Sequence, residues 1–111
     1  MREEFKLILV LITSLLMTGC IYYTVESMNI INHEAVHKEI YEYYGYPANV
    51  TIKGLSGSTQ ALEPIDAEDN KIMYPMHVQN EIVGYNLYTI RVIMYALFCS
   101  MWILIGWRAM K

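Results

Sequence analysis

The chain has 111 residues, which is enough for one compact unit. Hydrophobic residues make up 55% of it, a high share for a small soluble domain, and the formal net charge is −3. The acidic balance disfavours nucleic acid as a partner. The apolar content instead predicts contact with a lipid bilayer.

Two apolar runs account for most of the hydrophobic residues. Residues 7–25 carry no charge, and residues 87–107 carry only Arg91. Each run matches the roughly 20 residues that a membrane-spanning helix needs. We therefore expect a mainly α membrane protein, in which two long antiparallel helices form a transmembrane hairpin and extend into a small external α+β segment with a short β-hairpin.

The domain boundaries follow from these runs. We expect an N-terminal transmembrane helix over residues 1–25, an external domain over residues 26–86, and a second transmembrane helix with a short tail over residues 87–111. The middle segment holds nine Asp or Glu residues and three Lys residues, whereas the tail carries Arg108 and Lys111. Because basic residues stay on the cytoplasmic side, both termini are predicted to be cytoplasmic and the middle external.

Two features near the membrane leave alternatives open. Arg91 either extends its charge to the outer interface or pairs with a charge in the external segment. The stretch LLMTGC, which ends at Cys20, resembles the end of a bacterial lipoprotein signal peptide, although we prefer an ordinary membrane helix with a buried cysteine. Cys20 and Cys99 lie towards opposite ends of their spans, so no disulfide between them is expected.

The external segment is predicted to begin with a helix over residues 26–44 that Gly45 terminates. The stretches NVTIKGL and TQALEPI alternate as strands, and a turn at residues 56–58 is expected to join them into a hairpin. Residues 66–70, DAEDN, are predicted to form a solvated acidic loop. A second helix is expected from about Met76.

The most specific motif is HEAVH, which begins at His33. His33 and His37 are four residues apart, so on a helix they share a face and can bind one metal ion. Glu34 is placed to reach a water molecule on that ion rather than the ion itself. This is the general base of a zinc hydrolase.

A catalytic zinc ion needs a third protein ligand and one open position. The stretch HVQNEIVGYN supplies two candidates, His77 and Glu81, which are again four residues apart. Glu81 is the first choice as the third ligand, and His77 is a possible fourth ligand or a donor to a developing oxyanion.

HEAVH followed by NEIVG resembles the gluzincin branch of the zinc metallopeptidases, and its small single-domain members, the minigluzincins, are of similar size. The resemblance covers residues 30–45 and 77–85, and it implies zinc as the cofactor, a Glu on a later helix as the third ligand, and a peptide or protein as the substrate. Tyr85 stands where that family has an Asp that orients a zinc-bound histidine. The spacing of His37 and Gly45 also resembles the site-2-protease family.

The height of the candidate ligands above the bilayer agrees between the two helices. His33 follows the first span by about eight residues, and Glu81 precedes the second by about six, which puts both about 10 Å beyond the membrane in straight helices. The sequence therefore predicts a membrane-anchored metallopeptidase that cuts peptide bonds at the outer membrane face. Tyrosines in IYEYY are candidates to line its groove.

Other classes of function remain open from the sequence alone. One alternative is a non-catalytic metal-binding subunit that works with a membrane-protein partner or as a homo-oligomer. Another is a metal-free two-span protein whose HEAVH motif is a solvated helix face. Glu34 discriminates the metallopeptidase from the non-catalytic metal-binding subunit, because only a catalytic site needs this residue.

Overall fold

The computed structural model describes residues 2–111 and is mainly helical. Helix α1 spans Glu3–Tyr43, strands β1 and β2 span Ala48–Lys53 and Ser56–Ala61, and helix α2 spans Ala67–Met110. The prediction of two long helices with a short antiparallel hairpin between them is confirmed. Contacts within the chain divide it into two units. The first combines the N-terminal segment up to Thr24 with the segment from Tyr88, and the second is Val25–Leu87.

In the first unit, the ends of the two helices pack against each other in antiparallel fashion. A Cβ atom on Gly106 would lie 3.1 Å from Val10 Cγ1, so the helices approach closely at that point. Further along, the Tyr22 and Tyr88 hydroxyls lie 3.0 Å apart, and the Tyr22 and Tyr95 rings meet edge to face at 5.2 Å. Cys20 and Cys99 are free thiols.

Both helices have the length and composition needed to cross a membrane. The most apolar window of α1 is 11% buried within the chain and that of α2 is 0% buried. Four hydroxyls of these segments bond to the carbonyl four residues earlier, which satisfies them within the helix. These hydroxyls are on Thr13, Thr18, Thr24 and Ser100.

Helix α1 ends where Gly45 predicts. Gly45 has φ +86°, and its N–H donates to the Glu42 carbonyl at 3.0 Å. The Tyr46 N–H donates to the Tyr41 carbonyl at 3.0 Å. This pair of bonds is the Schellman arrangement, in which a glycine adopts the left-handed conformation without a Cβ clash.

The hairpin turn differs from the prediction. Gly54 and Leu55 form the two-residue turn, Gly54 has φ +57°, and β2 already begins at Ser56. The predicted turn at residues 56–58 is therefore wrong. A glycine at the first central position is the preference of a type II′ turn, which suits the twist of a hairpin.

Gly57 lies within β2 because the strand packs closely on α1. A Cβ atom at this position would lie 2.8 Å from Glu34 Cγ and 3.0 Å from both Ile30 Cγ2 and Ile52 Cδ1. Glycine inside a strand often marks such a close approach. The hairpin is thereby seated directly over the helix turn that carries Glu34.

Helix α2 begins nine residues earlier than predicted. Asp66 caps it, since the Glu68 N–H donates to Asp66 Oδ1 at 2.8 Å. Glu68 and Asp69 then lie in the first turn, where the helix dipole favours negative charge. The prediction of a solvated loop at 66–70 is wrong, and the predicted start near Met76 is wrong because Pro75 is accommodated inside the helix.

Tyr46 ties the end of α1 to the start of α2 in the second unit. Its hydroxyl donates to Asp69 Oδ2 at 2.5 Å and accepts the Asp66 N–H at 3.0 Å. The bond to the Asp69 carboxylate raises the pKa of Tyr46, because it favours the neutral phenol, while the Asp66 N–H opposes this effect. Nearby, Met73 is fully buried and Ile40 is 8% exposed.

Gly57→Ala tests the close packing of the hairpin on α1. The added methyl group overlaps Glu34, so we expect a loss of about 1–3 kcal/mol of stability and a melting temperature lower by about 4 °C or more in detergent. Gly19→Ala is the matched control, because nothing lies within 4 Å of a Cβ there. Equal melting temperatures for the wild type and Gly57→Ala would contradict the packing.

Candidate metal centre

Three side chains from α1 and α2 converge in the second unit. His33 Nε2 lies 3.0 Å from Glu81 Oε1, and His37 Nε2 lies 2.7 Å from the same oxygen. One donor atom from each residue lies within 4.8 Å of the others. The structure thus brings together the two histidines of the motif and the carboxylate chosen as the third ligand.

The helices position these groups through their i,i+4 spacing and two small contacts. His33 and His37 share a face of α1, as residues four apart on a helix must. Gly84 makes room for the His33 ring, since a Cβ atom there would lie 3.0 Å from His33 Cε1. Asn80 Nδ2 donates to the His33 carbonyl at 3.3 Å. Asn80 and Gly84 therefore have local structural roles beside Glu81.

The electrostatics favour an ionised Glu81. Burial acts to raise the pKa of this carboxyl, but hydrogen bonds from His33 and His37 outweigh it and hold the pKa below its usual value. The carboxylate is half exposed, whereas the His37 side chain is only 10% exposed. The group combines a negative oxygen with two imidazole nitrogens on a partly open surface.

The three side chains offer donor atoms of the kind that a divalent metal ion takes. Zinc binds nitrogen and oxygen at about 2.0–2.2 Å in tetrahedral geometry, which places neighbouring donors roughly 3.3 Å apart. The two distances to Glu81 Oε1, 3.0 and 2.7 Å, are shorter than that spacing, and the three donors lie within 4.8 Å of one another, so a bound ion would require small shifts of these side chains. Two imidazoles and one carboxylate are also the protein ligands of one class of catalytic zinc site.

His77 lies on the other side of His37. Its Nδ1 is 2.6 Å from His37 Nδ1, the ring nitrogen that does not contact Glu81. Burial lowers the pKa of His77, the neighbouring His37 lowers it further, and Glu81 acts in the opposite direction. Within residues 2–111 the converging group consists of His33, His37 and Glu81, and His77 contacts one member of that group.

Glu34 is buried, with 7% of its surface exposed, and is held by β2. The Thr59 hydroxyl lies 2.6 Å from Glu34 Oε2 and 3.1 Å from the Glu34 carbonyl oxygen. Glu34 also lines an open cleft of about 360 Å³. The other lining residues are His37, Tyr41, Gly57, Ser58, Thr59, Tyr74, His77, Val78 and Glu81.

Sequence reasoning did not identify Thr59 or Gly57 as part of the site. The available signal was a glycine in an alternating strand followed two residues later by a threonine on the same face. Of the tyrosines in IYEYY, Tyr41 lines the cleft and Tyr43 is 81% exposed. These tyrosines do not form a continuous lining.

The chain was compared with protein families, curated proteins and solved structures, and none of them matches it. The chemistry of the site therefore has to be argued from its own residues.

Metal content tests the converging group directly. We expect about one zinc ion per chain in the detergent-purified protein, and loss of zinc in His33→Ala and Glu81→Ala, because each removes one of three ligands. At a zinc concentration of about 100 times Kd, binding stabilises the fold by about 2.7 kcal/mol, so a chelator should lower the melting temperature.

Gln79→Ala is the control for this experiment, since Gln79 is exposed on α2 close to Glu81. It should retain zinc. Zinc retained at full occupancy in Glu81→Ala would exclude Glu81 as a ligand. A wild-type protein that binds no metal when zinc is supplied would exclude the centre altogether.

Thr59→Val tests how the hairpin holds Glu34. Valine keeps the shape of threonine but removes the donor to a buried carboxylate, so we expect a loss of about 1.5–3 kcal/mol. Thr51→Val on the exposed face of β1 is the matched control and should change little. Thermal unfolding in detergent measures both variants, and equal effects would contradict a specific role for Thr59.

Proposed function

We propose that the protein is a membrane-anchored zinc metallopeptidase that hydrolyses peptide bonds at the outer membrane face. The observation that carries the proposal is the convergence of His33, His37 and Glu81, of which His37 and Glu81 line the same cleft as the buried Glu34. The residues come from two helices and are up to 48 positions apart, so local sequence proximity does not explain their meeting.

The ligand set favours zinc and hydrolysis. Two histidines and one carboxylate leave a fourth coordination position for water or substrate. The same set serves iron(II) in oxygenases. The neighbouring Glu34 supports the hydrolase, because hydrolysis needs a base beside the metal-bound water.

Zinc bound to such ligands would lower the pKa of its water to about 7 and polarise a substrate carbonyl. Glu34 would take the proton from that water and later deliver it to the leaving amine. Thr59 engages Glu34 Oε2, so we assign proton transfer to the second carboxylate oxygen. The hydroxyl thereby fixes the carboxylate in one orientation within the cleft.

The cleft supports a peptide as the substrate. Gly57, Ser58 and Thr59 of β2 line it, and β2 has β1 as its one partner in the part of the chain that the structure describes. Its second edge can pair with an extended peptide through main-chain hydrogen bonds. An open cleft suits a chain segment better than it suits a small enclosed ligand.

Membrane anchoring is supported by the apolar helices. A core helix of a soluble protein is mostly buried, but the apolar windows here are 11% and 0% buried. Hydroxyls that bond within their own helix also suit a bilayer, which offers them no water. The basic tail at Arg108 and Lys111 favours cytoplasmic termini and an external metal centre.

A non-catalytic metal-binding subunit is the second candidate. The buried bond between Glu34 and Thr59 favours it, since this contact can fasten the hairpin to α1 without any part in catalysis. In that case the metal would stabilise the external segment, and the cleft would contact a membrane-protein partner or a second copy of the chain.

Glu34→Gln separates the two candidates. Glutamine still accepts a hydrogen bond from Thr59 but cannot take up a proton, so we expect zinc content to stay near one per chain. Hydrolysis of quenched fluorescent peptides should fall by about 10²–10⁴-fold, the usual contribution of a general base.

The matched control is Glu39→Gln, on an exposed position of the same helix, which should keep full activity. Equal hydrolysis by Glu34→Gln and the wild type would rule out Glu34 as the base. A wild-type protein that binds zinc but cleaves no peptide would favour the non-catalytic subunit.

A further inference from the structure

We propose that His77 is the positioning residue of the metal centre. It orients His37 through one hydrogen bond between their Nδ1 atoms, and the donor and acceptor of this bond change places when a metal binds. The proposal rests on the proposed metal site and goes beyond it, because it assigns a role to a residue outside the ligand set.

The contact between the two rings is a hydrogen bond and not a stack. The Nδ1 atoms are 2.6 Å apart, while the ring centroids are 4.9 Å apart and the planes are inclined by 29°. The two nitrogens therefore lie on facing edges of the rings. Tyr41 packs on His77 with a centroid distance of 4.5 Å and supports its ring in this position.

Helix α2 thus engages both nitrogens of His37. Glu81 contacts Nε2 at 2.7 Å, and His77, one turn earlier on the same face, contacts Nδ1 at 2.6 Å. A histidine held at both nitrogens has no freedom to rotate its ring. The pair Glu81 and His77 sets the direction in which His37 Nε2 points.

The proton positions follow from this geometry. Without metal, His37 carries its proton on Nε2 and donates a hydrogen bond to Glu81. The unprotonated Nδ1 of His37 then accepts a hydrogen bond from the Nδ1–H group of His77. When His37 Nε2 binds a metal, the proton of the neutral imidazole must lie on Nδ1. It is then donated to His77 Nδ1, and His77 carries its own proton on Nε2.

The bond reverses direction while both rings stay neutral. One proton leaves His37 Nε2, one is gained at His77 Nε2, and each state holds two protons on the pair. A carboxylate can only accept, so it could serve the metal-bound state but not the metal-free one. A histidine in this place keeps His37 oriented in both states.

The structure also contains the atom that this exchange requires. His77 Nε2 is buried and makes no hydrogen bond within residues 2–111. Moving the proton to His77 Nε2 therefore breaks no hydrogen bond within these residues. The usual partner of a metal-bound histidine is a carboxylate, carbonyl or water, and here the group in contact with His37 Nδ1 is His77.

Metal affinity in three proteins tests the proposal. The probe is zinc alone, titrated against a chromophoric chelator with the wild type, His77→Leu and His77→Asn. Leucine fills the space without an acceptor and should weaken zinc binding by about 10–100-fold, as loss of such a partner usually does. Asparagine places an amide oxygen near the Nδ1 position and should restore affinity to within about threefold of the wild type.

Cobalt(II) in place of zinc separates a positioning residue from a ligand. The visible spectrum of the cobalt form should be the same in the wild type and His77→Asn, and His77→Leu should give that spectrum at a higher cobalt concentration. A changed spectrum in His77→Leu would make His77 a ligand and overturn the proposal, as would unchanged zinc affinity in that variant.

Nitrogen-15 spectra of the histidine-labelled wild type provide a test that needs no variant to fold. His37 should carry its proton on Nε2 without zinc and on Nδ1 with zinc, and His77 should carry its proton on Nε2 in the zinc form. A zinc form in which His77 keeps its Nδ1 proton would overturn the proposal. A wild type that binds no zinc would overturn the metal centre itself, which is a different result from zinc binding that is indifferent to His77.

Discussion

The carboxylate of Glu81 is the contact on which the second unit depends. It accepts hydrogen bonds from two histidines of α1, at 3.0 and 2.7 Å, and so joins the two helices at one point. A carboxylate between two imidazoles is well suited to this task, because it bonds to them in the absence of metal and shares a metal with them in its presence. The same three groups can therefore stabilise the fold and form the site.

Much of this arrangement could be read from the sequence because it depends on helical periodicity. The spacing of four residues between His33 and His37, and between His77 and Glu81, places each pair on one helix face whatever the rest of the fold does. Gly45 likewise indicates a helix end, because glycine readily adopts the left-handed conformation that terminates a helix. These inferences need only local geometry, and the structure agrees with each of them.

The errors arose where tertiary contacts override local preference. The sequence predicts a helix start near Met76, but the helix begins after the Asp66 cap and accommodates Pro75 with the loss of one backbone hydrogen bond. Gly57 suggested a turn, but its small size is needed under Glu34 of α1. No local pattern distinguishes a glycine required by a turn from one required by a neighbouring helix, so Thr59 beside it also escaped notice.

Tyr85 stands where the family that the sequence resembles has an orienting carboxylate, and in this structure the group that contacts His37 is His77. An orienting group has to contact the ring nitrogen of the ligand that the metal would not occupy. Any residue of the second helix that reaches this nitrogen can do so. On α2 the residue one turn before Glu81 meets this condition, since it faces the ring nitrogen that Glu81 leaves free. A histidine there gives up the charge of a carboxylate, but it gains the ability to donate as well as accept. If the site binds a metal as proposed, a histidine at this place holds the His37 ring both before and after the metal binds, whereas a carboxylate, which can only accept, would hold it only afterwards.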